Sequence, residues 1–271
     1  MWSEATGRCY PYGLYAFWLY VIMGSFYVIV MLFIGILFLR ASKILKKKRF
    51  SLLGIAFVLV GFLDSLHVIG HVLFLLLNDS RAPIKFNSYI LYFYPFATSL
   101  AVSGIIIYFT LLYVYSSLEV KSHLGIVDRI VIAIGGAGIA LALNPYNWWN
   151  MIPPKNAINT TPLTGLVILI LGALSILSLR RYHVILTSKL VRDPISEVKL
   201  KLFLAGIILL AIAVILMMPH VFLAKMHYYD ALLVVTSFKL ALLTLSALCF
   251  YLGLVAPASI LNRLIRKRIT P

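Results

Sequence analysis

Long apolar runs alternate with short polar segments along the whole chain, and this pattern predicts its architecture. A helix needs about 20 mainly apolar residues to cross a hydrocarbon core about 30 Å thick. Seven runs reach about that length, with ends placed to within about 3 residues. They predict transmembrane helices at 14–39, 51–77, 87–115, 127–144, 163–180, 200–224 and 229–255. Because the intervening segments are too short for a soluble domain, we predict a single all-α, polytopic membrane domain over residues 1–271.

The distribution of charge predicts the orientation of this bundle. Of the 24 Lys and Arg residues, 18 lie after the first, third and fifth spans or in the C-terminal tail. Basic residues concentrate on the cytoplasmic side of a membrane, so we place the N-terminus outside and the C-terminus in the cytoplasm. Two Asn-x-Ser/Thr sequons, at Asn78 and Asn159, fall in loops assigned to the outside, where glycosylation would occur.

Composition restricts the partners and the location. The chain is 62% hydrophobic, has a mean hydropathy of +1.01 and carries a net charge of +16. Basic loops beside apolar spans are typical of contact with anionic lipid, so we expect the lipid bilayer as partner and no nucleic acid. We predict a multi-pass protein of the cytoplasmic (plasma) membrane. The absence of glutamine is typical of thermophiles and favours an archaeal source.

The second predicted span carries three ionisable residues where a membrane helix normally has none. Asp64, His67 and His71 are spaced i, i+3 and i+7, so all three project from one face of a helix. Ionisable groups in hydrocarbon are expensive and usually face the interior of a bundle. The sequence therefore predicts a functional site on this face.

Depth along each span predicts which other polar residues join that site. At 1.5 Å per residue, Asp64 lies about 20 Å from the inner end of its span, and Lys239 about 15 Å below the outer end of its own. The same arithmetic puts His71 and His220 at one level, about 30 Å from the inner end. We predict a polar column with an Asp64–Lys239 ion pair, then His67, then His71 with His220.

Other polar residues of the spans have ordinary structural interpretations beside a ligand-lining one. Thr236 and Ser103 are predicted to line the site, although Ser and Thr in membrane helices usually bond their own backbone or a neighbouring helix. Asp230 is also predicted to line it, and a helix N-cap role explains it equally well. Asp64 and Lys239 could equally form a structural ion pair that fixes helix register. A Schiff base on Lys239, as in retinal proteins, is disfavoured because span three has no acid or arginine and span six no tryptophan.

The histidines leave several chemistries open. Three histidines and Asp64 could hold zinc, iron or copper, since His67 and His71 have the i, i+4 spacing of metal-binding helices. His71 with His220 could instead ligate a haem axially. The alternative is a set of core histidines that hydrogen-bond to hydroxyls or backbone. Zinc and haem are therefore the candidate cofactors that these residues suggest.

The segment Leu53–His67, which reads LGIAFVLVGFLDSLH, resembles the Asp-x-Leu-His segment in the third class of membrane-associated sensor domains. Those domains are multi-span input modules fused to histidine kinases and diguanylate cyclases. The resemblance implies that Asp64 and His67 are the signature pair of a sensor module. Here Gly70 and His71 continue the span, whereas an aromatic residue and a glycine-methionine turn usually follow in that family.

Asp and His residues in a seven-span bundle are also similar to the alkaline ceramidase and adiponectin-receptor superfamily of intramembrane zinc hydrolases. That superfamily has a His-x-x-x-His pair on a late span, and span seven here has no histidine. We therefore expect a sensory or ligand-binding module, rather than an enzyme, that signals through a membrane or cytoplasmic partner. The alternatives are an intramembrane metal-dependent hydrolase that uses Asp64, His67, His71 and His220, and a structural subunit of a larger membrane complex.

Overall fold

The apolar runs of the sequence form long helices, and a computed structural model describes residues 14–78, 88–144, 161–189, 193–219 and 229–257. No strand occurs in these ranges. The helices are α1 (Leu14–Ile44), α2 (Phe50–Asn78), α3 (Ser88–Lys121), α4 (Ile126–Ala142), α5 (Thr161–Lys189), α6 (Pro194–Ile215) and α7 (Tyr229–Leu254). The predicted all-α class is confirmed.

Six of the helices form a ring, and the seventh packs outside it. Around the ring, α1 contacts α2, α2 contacts α3, α3 contacts α5, α5 contacts α6, α6 contacts α7, and α7 returns to α1. Helix α4 lies against α3 and α5. The connections that follow α1, α3 and α5 meet at one end of the ring, which we call the basic end because most of the Lys and Arg residues lie there.

The outer surface of the ring is apolar. On α1, Phe26 and Phe33 are 53% and 59% exposed, whereas their neighbours Tyr27 and Ile34 are buried. A helix that is apolar on its exposed side as well as its buried side is typical of a membrane protein. In the part of the chain that the structure describes, six helices are long and apolar enough to cross a membrane, which is consistent with a multi-pass membrane protein. The other helix, α4, has 17 residues and rises about 26 Å.

Glycines bring α1 and α2 into close contact and fix their register. A Cβ atom added at Gly54 would lie 2.9 Å from the backbone nitrogen of Leu39, and one at Gly35 would lie 2.8 Å from that of Val58. Small residues allow such close approach of membrane helices. With the two antiparallel helices held in this register, Tyr27 of α1 faces the level of α2 that carries Asp64.

Helices α3 and α5 extend further toward the basic end than the apolar runs predicted, as α1 does by five residues, to Ile44. The predicted spans ended at residues 115 and 180, but α3 continues to Lys121 and α5 to Lys189. The polar residues of these last turns do not interrupt intrahelical hydrogen bonds, so the helices continue past the apolar stretch. Ser116, in the extension of α3, donates a hydrogen bond of 2.7 Å to the hydroxyl of Ser178 in α5.

The sixth predicted span, 200–224, differs from the structure at both ends. Helix α6 begins at Pro194, where the Asp193 side chain accepts a hydrogen bond from the Ser196 amide as an N-cap. It ends at Ile215, and helical structure resumes only at 217–219, after a turn at Leu216. Pro219 has no N–H to donate to the Ile215 carbonyl, which accounts for a break at this point. The loops of both sequons lie outside the described residues, apart from the backbone of Asn78.

Candidate functional site

The polar face of α2 is turned into the protein and not toward lipid. Asp64 and His71 are only 8% and 3% exposed, and His67 is half-buried. On the opposite side of the same helix, Phe62 and Ile69 are 54% and 48% exposed. Asp64, His67 and His71 therefore share the interior of the ring with the helices that pack against α2.

Two tyrosines of α1 meet this face. The Tyr20 hydroxyl lies 2.9 Å from Nδ1 of His67, and the Tyr20 ring is 4.6 Å from the ring of His71. Two helical turns further along α1, the Tyr27 hydroxyl lies near the Asp64 carboxyl and interacts with it electrostatically. The His67 and His71 rings are 4.7 Å apart. Each ionisable side chain of α2 therefore has a tyrosine of α1 beside it.

Helix α7 contributes the opposite charge. Lys239 is only 6% exposed, and it interacts electrostatically with Asp64 and with His67. The structure thus brings Lys239 toward the residues that the depth arithmetic matched with it. Within the described residues, however, no nitrogen–oxygen distance of 4.0 Å or less joins Lys239 to Asp64, and Lys239 makes no hydrogen bond. The two buried ionisable side chains therefore lie near each other without forming an ion pair.

Helix α3 supplies a buried hydroxyl. Tyr108 is 2% exposed, and its hydroxyl has no hydrogen-bond partner among the described residues. The ring of Tyr108 lies 5.4 Å from that of Phe57, and its hydroxyl interacts electrostatically with that of Tyr27. Buried hydroxyls are almost always hydrogen-bonded, so one without a partner requires an explanation.

We call the residues that converge from these four helices the polar cluster: Tyr20, Tyr27, Asp64, His67, His71, Tyr108 and Lys239. The sequence analysis missed Tyr20 and Tyr27, which lie seven residues apart on one face of an otherwise apolar helix. That spacing was a usable signal. Tyr108 was not among the residues that the sequence analysis assigned to the site.

An aromatic floor closes the ring on the side of the basic end. Successive ring centroids lie 5.5 to 6.1 Å apart from Phe57 through to Phe250. The floor consists of Phe38, Phe50, Phe57, Tyr115, Tyr182, Phe203 and Phe250, which together come from all six helices of the ring. All seven are buried, so the polar cluster lies between this layer of packed aromatic side chains and the other end of the bundle.

The remaining predicted site residues do not all reach the polar cluster. The hydroxyls of Ser103 and Thr236 donate to the carbonyls of Ser99 and Leu232 in their own helices. His220 lies outside the described residues, as does the side chain of Asp230. The predicted lining by Asp230 and the pairing of His71 with His220 therefore stay predictions.

The described donors do not form a metal site. In ranges 14–78, 88–144, 161–189, 193–219 and 229–257, no group of three or more His, Cys, Asp or Glu residues is placed to hold a metal ion. The described members of the predicted ligand set point to different partners. Asp64 is directed to Tyr27 and Lys239, whereas His67 is engaged by Tyr20.

A second buried carboxylate anchors α4 at the basic end. Asp128 accepts hydrogen bonds from the hydroxyls of Tyr113 and Ser117, at 2.8 and 2.6 Å, and from the Gly125 amide at 2.7 Å. The half-exposed Lys121 ammonium lies 3.4 Å away. Because its oxygens are satisfied from within the protein, Asp128 fastens α4 to α3. No part of this network is left without a partner.

Comparison with known proteins gives no relative: no family model, no curated protein and no solved structure matches this chain.

Proposed function

We propose that this protein is a seven-span sensory module of the cytoplasmic membrane. Its polar cluster binds a small ligand from outside, and the bound state is passed to a membrane or cytoplasmic partner. The N-terminus is outside and the basic end faces the cytoplasm, as the positive-inside rule favours. The single observation that supports ligand binding is that the buried side chains of Asp64 and Lys239 lie near each other without an ion pair between them.

The contacts of α4 support its assignment as a span. It runs antiparallel to α3: Asp128 bonds Tyr113, and a Cβ on Gly138 would lie 3.4 Å from Ile106. Residues 106–113 lie in the cytoplasmic half of the third predicted span, 87–115. Helix α4 therefore accompanies α3 through that part of its depth.

The orientation is tested by tagging both termini in intact cells. Seven spans place the ends on opposite sides of the membrane, so an N-terminal epitope should react with an impermeant antibody and a C-terminal one only after permeabilisation. Both epitopes on the same side would refute the count of seven.

The separated charges are evidence of binding because of their energetic cost. Burying an ion costs several kcal/mol, and only close opposite charges and hydrogen bonds offset that cost. Asp64 has Tyr27, but Lys239 has neither a hydrogen bond nor a close ion pair within the described residues. A polar ligand in the gap would give both charges a partner and stabilise the folded protein.

The route to a partner begins at Tyr108. Its ring contacts Phe57, and Phe57 stacks on Phe38 at 5.5 Å in the aromatic floor. The floor extends through every helix of the ring to the basic end. A ligand that reoriented Tyr108 would thereby act on tightly packed side chains beside the cytoplasmic connections.

The binding proposal is tested by thermal unfolding of the purified protein in detergent micelles with small anions, cations, zwitterions and sugars. A ligand at 100 times its Kd stabilises a protein by about 2.7 kcal/mol, which raises the unfolding midpoint measurably. We expect at least one compound to do so for the wild type and not for Lys239→Met. If no compound raises the midpoint, or if the variant responds equally, the polar cluster is not a binding site.

A further inference from the structure

Two buried charges of opposite sign define what kind of ligand would fit the polar cluster. We propose that the ligand is a small zwitterion whose carboxylate binds Lys239 and whose ammonium group binds Asp64. This inference rests on the proposed function, since it names the ligand class of the same site. It follows from the two charges, from the Tyr108 hydroxyl, which has no partner among the described residues, and from the packing of the cluster toward the basic end.

The two charges of the polar cluster disfavour a ligand that carries only a positive or only a negative charge. An anion beside Lys239 would be repelled by the Asp64 carboxylate, and a cation beside Asp64 would be repelled by the Lys239 ammonium. Repulsion of this kind is strong because the site is removed from water. A neutral molecule that carries both charges meets each side chain with its opposite and adds no net charge to the interior.

The hydrogen-bonding groups of the polar cluster also divide into donors for a carboxylate and acceptors for an ammonium group. A carboxylate accepts about four hydrogen bonds, and an ammonium group donates three. Lys239 can donate to a bound carboxylate, and Tyr108 has a hydroxyl with no partner among the described residues. The Tyr27 hydroxyl is already directed to Asp64, whose other lone pairs can accept from a bound ammonium group.

The packing below the cluster limits the size of the ligand. One helical turn toward the basic end from Tyr27 and Asp64, Met31 and Val60 are 0% and 1% exposed. Below them lies the aromatic floor. The ligand therefore has no room to extend toward the cytoplasm, and its uncharged part must be short or point to the opposite end of the bundle.

The test uses the full-length protein in micelles and isothermal titration with α-amino acids from glycine to tryptophan. Each amino acid is compared with the carboxylic acid that lacks its amino group and with the amine that lacks its carboxylate. We expect at least one amino acid to bind, and each of its single-charge analogues to bind at least about tenfold more weakly. A hydrogen bond to a charged group is typically worth that much.

Single-charge variants should change the preferred ligand class. Asp64→Asn leaves Lys239 as the remaining charge, so the carboxylic acid should then bind as well as the amino acid. Lys239→Met should shift the preference to the amine. Tyr108→Phe removes only the hydroxyl and should weaken amino acid binding several-fold, whereas Tyr113→Phe, whose hydroxyl bonds Asp128, should leave it unchanged.

The outcomes separate this inference from the proposed function. If an anion or an amine binds as tightly as its zwitterion, and binding still requires Lys239, the ligand class is wrong and the binding function stands. If no compound of the series binds while another compound of the broader panel does, the zwitterion is again excluded. Binding of amino acids that is unaffected by Asp64→Asn, Lys239→Met and Tyr108→Phe would overturn the assignment to this site.

Discussion

Tyr108 and Tyr113 lie five residues apart on α3, and removing their hydroxyls should change stability in opposite directions. Tyr108 is buried with no partner for its hydroxyl among the described residues, whereas Tyr113 donates to Asp128 at 2.8 Å. The substitution Tyr→Phe deletes one oxygen at either position and keeps the ring. The pair is therefore a matched test of whether the polar cluster is incomplete without a ligand.

The magnitudes follow from the two environments. A buried polar group without a hydrogen bond costs about 1–3 kcal/mol, so Tyr108→Phe should raise the free energy of unfolding of the ligand-free protein by that order. A hydrogen bond to a charged group contributes about 1.5–3 kcal/mol, so Tyr113→Phe should lower it by a similar amount.

The assay is reversible unfolding of both variants and the wild type in mixed detergent micelles without added ligand. Comparable losses of stability in both variants would contradict the reasoning, because Tyr108 would then have a partner such as an ordered water molecule. The Tyr108 hydroxyl would in that case not be available to a ligand, and the argument for a zwitterion would lose its hydrogen-bond donor.

Two further predictions concern the scaffold. A Cβ at Gly54 would lie 2.6 Å from Leu39 Cγ, while one at Gly136 would meet nothing within 4 Å. In micelles, Gly54→Ala should lower the free energy of unfolding by about 1–3 kcal/mol through overpacking. Gly136→Ala should leave it unchanged or raise it by up to about 1 kcal/mol. Equal effects would contradict the close α1–α2 contact. At the start of α6, hydrogen bonds from the Ser196 amide and hydroxyl hold the pKa of Asp193 below its usual value. This cap should stabilise the first turn at neutral pH and be lost as the pH falls through that lowered pKa. The protection of the Ser196 amide against hydrogen exchange should therefore drop in acid. In the variant Asp193→Asn this protection should not depend on pH. If protection drops equally in the variant, the Asp193 carboxylate is not the cause of the drop.

The helices and part of the polar cluster were accessible from the sequence because their signals are local. An apolar run of about 20 residues is a strong pattern, and Asp64 stands out inside one. The depth of Lys239 followed from counting residues along two helices. These inferences needed no knowledge of how the helices are arranged around the ring.

The tyrosines could not be assigned in the same way. Whether Tyr20 and Tyr27 face lipid or protein depends on how α1 is rotated against α2, and the glycine contacts at Gly35 and Gly54 set that rotation. Tyrosine is also common where helices meet the membrane surface, so its presence carries little information by itself. That Tyr108 lacks a hydrogen-bond partner among the described residues is a property of the packed interior and has no signature in the sequence.

The separation of Asp64 from Lys239 follows from the arrangement of the ring. Their helices, α2 and α7, are both neighbours of α1, which therefore lies between them. Tyr27 of α1 interacts with the Asp64 carboxyl, so Lys239 is not the only group near it. A buried ion pair that served only to fix register would bring the two charges into contact, because contact offsets the cost of burying them. In the binding proposal these two side chains are the two halves of the site, and the protein should reach its full stability when a ligand lies between them.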